Sequence, residues 1–99
     1  MNGRASVSTA VLARYAADAA CEVEGVRGLV GHVPRHRGVR IVGDDGHARV
    51  ELHVALAWGA SAPDVGRAVQ RRVGEYLERM AGTRPAGVDV IVDEIGPPA

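Results

Sequence analysis

Histidines, one cysteine and a few neighbouring carboxylates are the residues of this 99-residue chain with the makings of chemistry. His32 and His36 are four apart, but Pro34 lies between them and bars the helix that would put them on one face as a metal pair. His47 and His53 fall on one extended run at a separation of about 20 Å, too far to share an ion. Cys21 sits among Ala17 and Ala20 with no base beside it, so it reads as a buried, inert thiol. Asp44 and Asp45 occupy a turn, where aspartate is favoured for backbone reasons, and Asp93 and Glu94 alternate to opposite sides of a strand. No catalytic residue, cofactor or metal is expected from these patterns. Gly25-Val26-Arg27-Gly28 fits the G-x-x-G pattern with which KH-type domains clamp a nucleic-acid backbone, with Arg27, Arg35 and Arg37 as the cationic contacts. A KH loop joins two helices, whereas here a helical pattern leads into an extended one, and Gly28-Leu29-Val30-Gly31 repeats the spacing. An ordinary basic loop is the preferred reading, with a small KH-like nucleic-acid binder as the alternative.

The elements that would position any site are organised around Ala48 to Trp58. Ala48, Val50, Leu52, Val54, Leu56 and Trp58 alternate there with Arg49, Glu51, His53, Ala55 and Ala57. This period of two predicts a strand of roughly 36 Å, its even-numbered residues buried and its odd-numbered residues outward. Before it, Val39 to Val42 followed by Gly43-Asp44-Asp45-Gly46 predicts a strand and reverse turn, hence an antiparallel pair. Val26 to Val33, broken by Gly28 and Gly31, predicts only an irregular first strand. Two helices flank these strands. One begins at Ser8 or Thr9 as N-cap and carries Val11, Leu12, Tyr15, Ala16, Ala19, Ala20 and Val23 at helical spacing, with Gly25 expected to end it. The other begins at Ser61-Ala62-Pro63-Asp64, has the stripe Val65, Val69, Val73, Tyr76, Leu77 and Met80, and ends at Gly82. Its other face is Arg67, Arg71, Arg72, Glu75, Glu78 and Arg79, with Glu75 and Arg79 four apart. A last strand, Gly87 to Ile95, sets Val88, Val90 and Val92 against Asp89, Ile91 and Asp93.

Length and composition bound the function. The chain is of single-domain size, with residues 1–99 expected to form one domain whose core spans about 8–95. Basic and acidic residues balance at twelve each, so no global field draws it to nucleic acid or anionic lipid. One cysteine excludes an internal disulfide framework and fits a reducing compartment. No apolar run approaches the roughly 18 residues of a membrane span, and no signal-peptide pattern opens the chain. A cytoplasmic protein is expected, reaching a membrane only through a partner.

Matching the apolar faces gives an α+β two-layer sandwich: two helices on one face of a three- to four-stranded, mainly antiparallel sheet, in the order α-β-β-β-α-β. The opposite face would present Arg40, Arg49, Glu51, His53, Asp89 and Asp93 to a partner. Arg67 and Arg71 on the second helix offer a further contact surface, and an unpaired strand edge offers a third.

Beyond these patterns, Glu22-Val23-Glu24-Gly25-Val26-Arg27-Gly28-Leu29 resembles the signature of the alkaline-shock-protein family, also called the Gls24-like envelope stress response family. The likeness continues through Val50-Glu51-Leu52-His53-Val54-Ala55-Leu56-Ala57-Trp58-Gly59, then Pro63, Val65, Val69-Gln70, Val73, Met80 and Gly82, and finally Val88, Val90, Val92 and Ile95. The resemblance implies a non-enzymatic bacterial protein of cell-envelope homeostasis and stress. In relatives such a protein reaches the membrane through an anchored partner and self-associates. No catalytic residue comes with the family.

Overall fold

A computed structural model describes residues 6–31, 38–43 and 47–97. The element order is α1 (Thr9–Cys21), β1 (Val26–Leu29), β2 (Val39–Val42), β3 (Arg49–Ala57), α2 (Ala62–Ala81) and β4 (Gly87–Gly96). Both helices lie on one face of the sheet, which is the expected α+β sandwich.

Strand β3 is the rail of the sheet. β1 and β2 pair with it antiparallel, Val26 opposite Leu56 and Leu29 opposite Val54, then Val39 opposite Leu52 and Val42 opposite Arg49. The two short strands therefore follow one another along the same edge of β3. At the break between them the His53 carbonyl accepts from the Val30 N–H and the His53 N–H donates to the Gly38 carbonyl, both at 2.8 Å. Val30 and Gly38 thus both bond to His53, where the two short strands meet along this edge. β4 occupies the other edge of β3 and runs parallel to it, from Arg49 opposite Gly87 to Ala57 opposite Gly96. Parallel neighbours need a long crossover, and α2 supplies it.

The helix boundaries follow local chemistry. Ser8 Oγ accepts from the Val11 N–H at 3.2 Å to cap α1, and Ser61 Oγ accepts from the Asp64 N–H at 3.4 Å to cap α2, with Pro63 in its first turn. Gly82 closes α2 in the left-handed conformation, φ 68°. α1 ends at Cys21, sooner than Gly25 implied, and Gly25 instead turns the chain into β1 at φ 97°.

Val50, Leu52, Val54 and Leu56 are at most 1% exposed, so the even-numbered face of β3 is the floor of the core. Val65, Val69, Val73 and Leu77 of α2 close it from above. Ala16, Ala19 and Ala20 are fully buried, and their bare methyls let α1 approach closely. Tyr15 meets Tyr76 edge-on, centroids 5.9 Å apart, and Arg72 pairs with Glu22, so aromatic and ionic contacts both join the two helices.

Six expectations are corrected. The strand stops at Ala57, and Trp58, beyond the last ladder pair, is 69% exposed instead of buried. Met80 in the last turn of α2 and Val11 near the start of α1 are exposed, because each lies where its helix runs past the material that covers its middle. Cys21 is exposed at the last residue of α1 and not in its buried stripe; partial burial and then Asp18 nevertheless hold its thiol above the ordinary 9.0, which disfavours the nucleophilic thiolate. Ala55, on the outward side, is 9% exposed, flanked by Gly28 of β1 and Glu94 of β4. Arg79 lies over the Tyr76 ring, 5.4 Å from its centroid, in place of a pair with Glu75. His32, Pro34, Arg35, His36, Arg37, Asp44, Asp45 and Gly46 lie outside the described residues.

Candidate functional site: the outer sheet face and the edge of β4

The outward side chains of β2, β3 and β4 meet because their registers bring them level. Arg40 stands opposite Glu51 on the β2 side, and Asp89 stands opposite Glu51 on the β4 side. Arg49 reaches Asp89 with a two-pronged contact, Nη2 to Oδ1 at 3.0 Å and Nε to Oδ2 at 3.3 Å. This bond, and then the carboxylate's charge, hold the guanidinium pKa above its usual value.

His53 is bracketed by two acids. Nδ1 lies 2.8 Å from Asp93 Oδ2 and Nε2 lies 2.9 Å from Glu51 Oε1. Ionised carboxylates only accept, so both ring nitrogens donate when both contacts are made, and the ring is then an imidazolium. The hydrogen bonds to Glu51 first and Asp93 second raise the His53 pKa above 6.5, against a smaller opposing effect of burial. A bulge brings Asp93 within reach. Val92 is opposite Val54 and Glu94 is opposite Ala55, so Asp93 is the extra residue between two ladder pairs.

The structure thus gathers Arg40, Arg49, Glu51, His53, Asp89 and Asp93 on one face, as expected. It leaves Arg67 apart on α2, paired with Asp64 at 2.5 Å. Arg71 lies elsewhere again, in a groove that wraps the start of β4 between that strand and α2. The acid–histidine–acid bracket was missed at the sequence level, where His53 stood alone and Asp93 and Glu94 merely alternated. The available signal was strand–helix–strand order, which calls for a parallel β3–β4 pair; the bulge left no mark in residue types.

The G-x-x-G stretch is not a loop between helices. Gly25 is in a turn and Val26-Arg27-Gly28 lies in β1, with Gly28 opposite Ala55. The Arg27 guanidinium crosses the sheet to lie against Gly96. Among the described residues, no three of His, Cys, Asp and Glu are placed to hold a metal ion, and no helix is long and apolar enough to cross a membrane.

The outer edge of β4 completes the candidate surface. Along a strand, backbone groups alternate between the two edges. The Val88 carbonyl points away from β3 and accepts from Gln70 Nε2 at 3.2 Å. By the same alternation Val90 and Val92 direct their N–H and C=O groups outward, and β4 pairs with no strand but β3 among the described residues. Towards the far end of this strand Ile95 is 52% exposed.

Comparison with solved structures gives the same fold. A chain titled MamM-CTD 215-293 superposes with a TM-score of 0.64 at 16% identity, over 88% of this chain and 99% of that one. A MamM CTD variant in a nickel form gives 0.58 at 13% identity over 87% and 98%. One in a cadmium form gives 0.58 at 14% over 88% and 98%. At such identities the likeness is one of fold alone. No curated protein matches the chain. Residues 1–97 match the model of the alkaline shock protein family, described as having a cell envelope-related function, and the chain belongs to that family.

Proposed function

We propose that this protein is a non-enzymatic interaction module of the cell envelope. It would bind a protein partner, itself anchored in the membrane, by adding a strand of that partner to the outer edge of β4. The observation that carries this reading is the edge itself: a strand running from Gly87 to Gly96, bonded on one side to β3, with Val90 and Val92 directed outward. Such an edge is a template for strand addition, and nearby apolar side chains set specificity. Ile95, in β4 and half exposed, is an apolar group that could serve this way. A cytoplasmic location at the inner face of the membrane goes with this reading, as does self-association through the same edge.

Val90→Pro tests it. Proline at an edge position whose N–H faces outward spares the internal ladder but removes a donor and blocks an incoming strand. Envelope fractions are passed over the wild-type protein and over Val90→Pro, whose folding is checked by circular dichroism, and the captured proteins are identified by mass spectrometry. The proposal expects a membrane protein retained by the wild type and lost from the variant. Identical capture by the two would contradict it. The KH-like alternative predicts RNA affinity falling steeply with salt and lost in Arg35→Ala/Arg37→Ala.

A further inference from the structure

A groove of about 460 Å³ lies where the second half of α2 passes the start of β4, and three guanidinium groups line it: Arg49, Arg71 and Arg84. We propose that this groove binds a phosphate group, either as a soluble phosphomonoester or as the monoester headgroup of a lipid.

The three arginines are differently held. Arg49 is the fixed one. Asp89 takes its Nε and Nη2, leaving Nη1 without a partner among the described residues. Gly87 makes the pose possible, because a Cβ there would fall 2.5 Å from Arg49 Nη2 and 2.6 Å from its central carbon. The guanidinium therefore lies across the backbone of β4 with its orientation set by a carboxylate on one side and a missing side chain beneath. Arg71 projects from α2 and makes no ion pair among the described residues. Arg84 is 3.5 Å from Glu78, at an exposed and loosely held contact.

Two carboxylates, Glu75 and Asp89, share the lining with the three cations. Asp89 is committed to Arg49, so Arg71 and Arg84 face Glu75 alone within the lining, and Glu78, just outside it, holds Arg84 only through an exposed 3.5 Å contact. Guanidinium forks match the oxygens of a phosphate and bind it with charge-assisted hydrogen bonds. A phosphomonoester also carries close to two negative charges near neutral pH, enough to compete with Glu75 for Arg71 and with Glu78 for Arg84. A groove of this volume is in the range that holds a small ligand.

The site is distinct from the strand-addition edge. The groove lies at Gly87 to Asp89, where Gln70 already occupies the Val88 carbonyl, and strand addition would use Val90 onward.

The test uses the whole chain and two probes. Inorganic phosphate is titrated while backbone amide and arginine Nε–H resonances are followed. Separately, protein is sedimented with phosphatidylcholine vesicles that do or do not contain phosphatidic acid. Saturable shifts centred on Arg71, Arg84 and Gly87 are expected. Arg71→Gln/Arg84→Gln should weaken phosphate binding at least about tenfold. Gly87→Ala changes no charge but displaces the Arg49 guanidinium, a flexible group that can move without unfolding the strand, and it should weaken binding as well. Phosphate binding without co-sedimentation assigns the site to soluble phosphomonoesters. Co-sedimentation that needs phosphatidic acid and is lost in the double variant assigns it to a headgroup. Absence of saturable shifts with phosphate, or affinities unchanged in both the double variant and Gly87→Ala, would overturn the proposal.

Discussion

Replacing His53 by glutamine should remove a component of stability that exists only at the acid side of neutrality. In the folded protein the ring sits between Glu51 and Asp93, and its pKa lies above the 6.5 of an unperturbed histidine. Below 6.5 the ring is protonated in folded and unfolded chains alike, so the two ion pairs contribute in full. Between 6.5 and the raised folded value the folded state binds more protons than the unfolded one, so stability falls as pH rises and the contribution is gone once the folded ring has lost its proton. The magnitude is limited by exposure. The side chains of His53 and Glu51 are about one-third exposed, 31% and 32%, and that of Asp93 is 23% exposed. Solvent screening therefore keeps each pair near ~0.5 kcal/mol, or ~1 kcal/mol for both. In a domain of this size ~1 kcal/mol moves Tm by roughly 4–8 °C. The assay is thermal unfolding of wild type and His53→Gln across that range, with the imidazole followed by NMR. Groups remote from residue 53 cancel in the difference between the two proteins. The expected gap is largest below 6.5 and closes towards alkaline pH. A gap that is constant with pH, or that widens as pH rises, would refute the bracketed imidazolium.

Val54→Asp should prevent folding, because a carboxylate would be buried unpaired beneath both helices at a position with no exposed surface; circular dichroism at neutral pH checks this. Gly25→Ala should cost about 2 kcal/mol, since φ 97° disfavours any side chain and the new Cβ would lie 2.9 Å from Val65 Cγ2. Gly28→Ala, with nothing within 4 Å of its Cβ, should leave the urea midpoint nearly unchanged. Trp58→Ala should change stability by less than about 0.5 kcal/mol, as expected for a surface residue, and the wild-type indole should be readily quenched by acrylamide.

The fold was legible wherever one local rule acted alone. The alternation from Val50 to Leu56 needs one buried face and nothing else, and it marked the inside of the sheet. Ser61, Pro63 and Gly82 marked the ends of α2 because caps depend on residues next to one another in the chain. What could not be read were features that depend on distant neighbours. Trp58 continues the alternation of β3 in sequence, yet the ladder ends one residue earlier. The outer-face residues were identified individually, because strand parity gives the side. Their pairing into Arg49–Asp89 and Glu51–His53–Asp93 was hidden, because it requires the parallel register of β4 and the bulge at Asp93. The groove over Gly87 was hidden for the same reason: Arg71 and Arg84 come to line it with Arg49 only after α2 has carried the chain back to the start of the sheet.

The central claim is that the outer edge of β4 is open in the isolated protein and closed by its partner. Amide hydrogen exchange resolved by residue measures this directly. The N–H groups of Val90 and Val92 should exchange fast in the isolated protein while those of Asp89 and Ile91, directed at β3, exchange slowly, and the captured envelope partner should then protect Val90 and Val92. Equal protection of all four in the monomer, or no added protection when the partner is bound, would contradict the account.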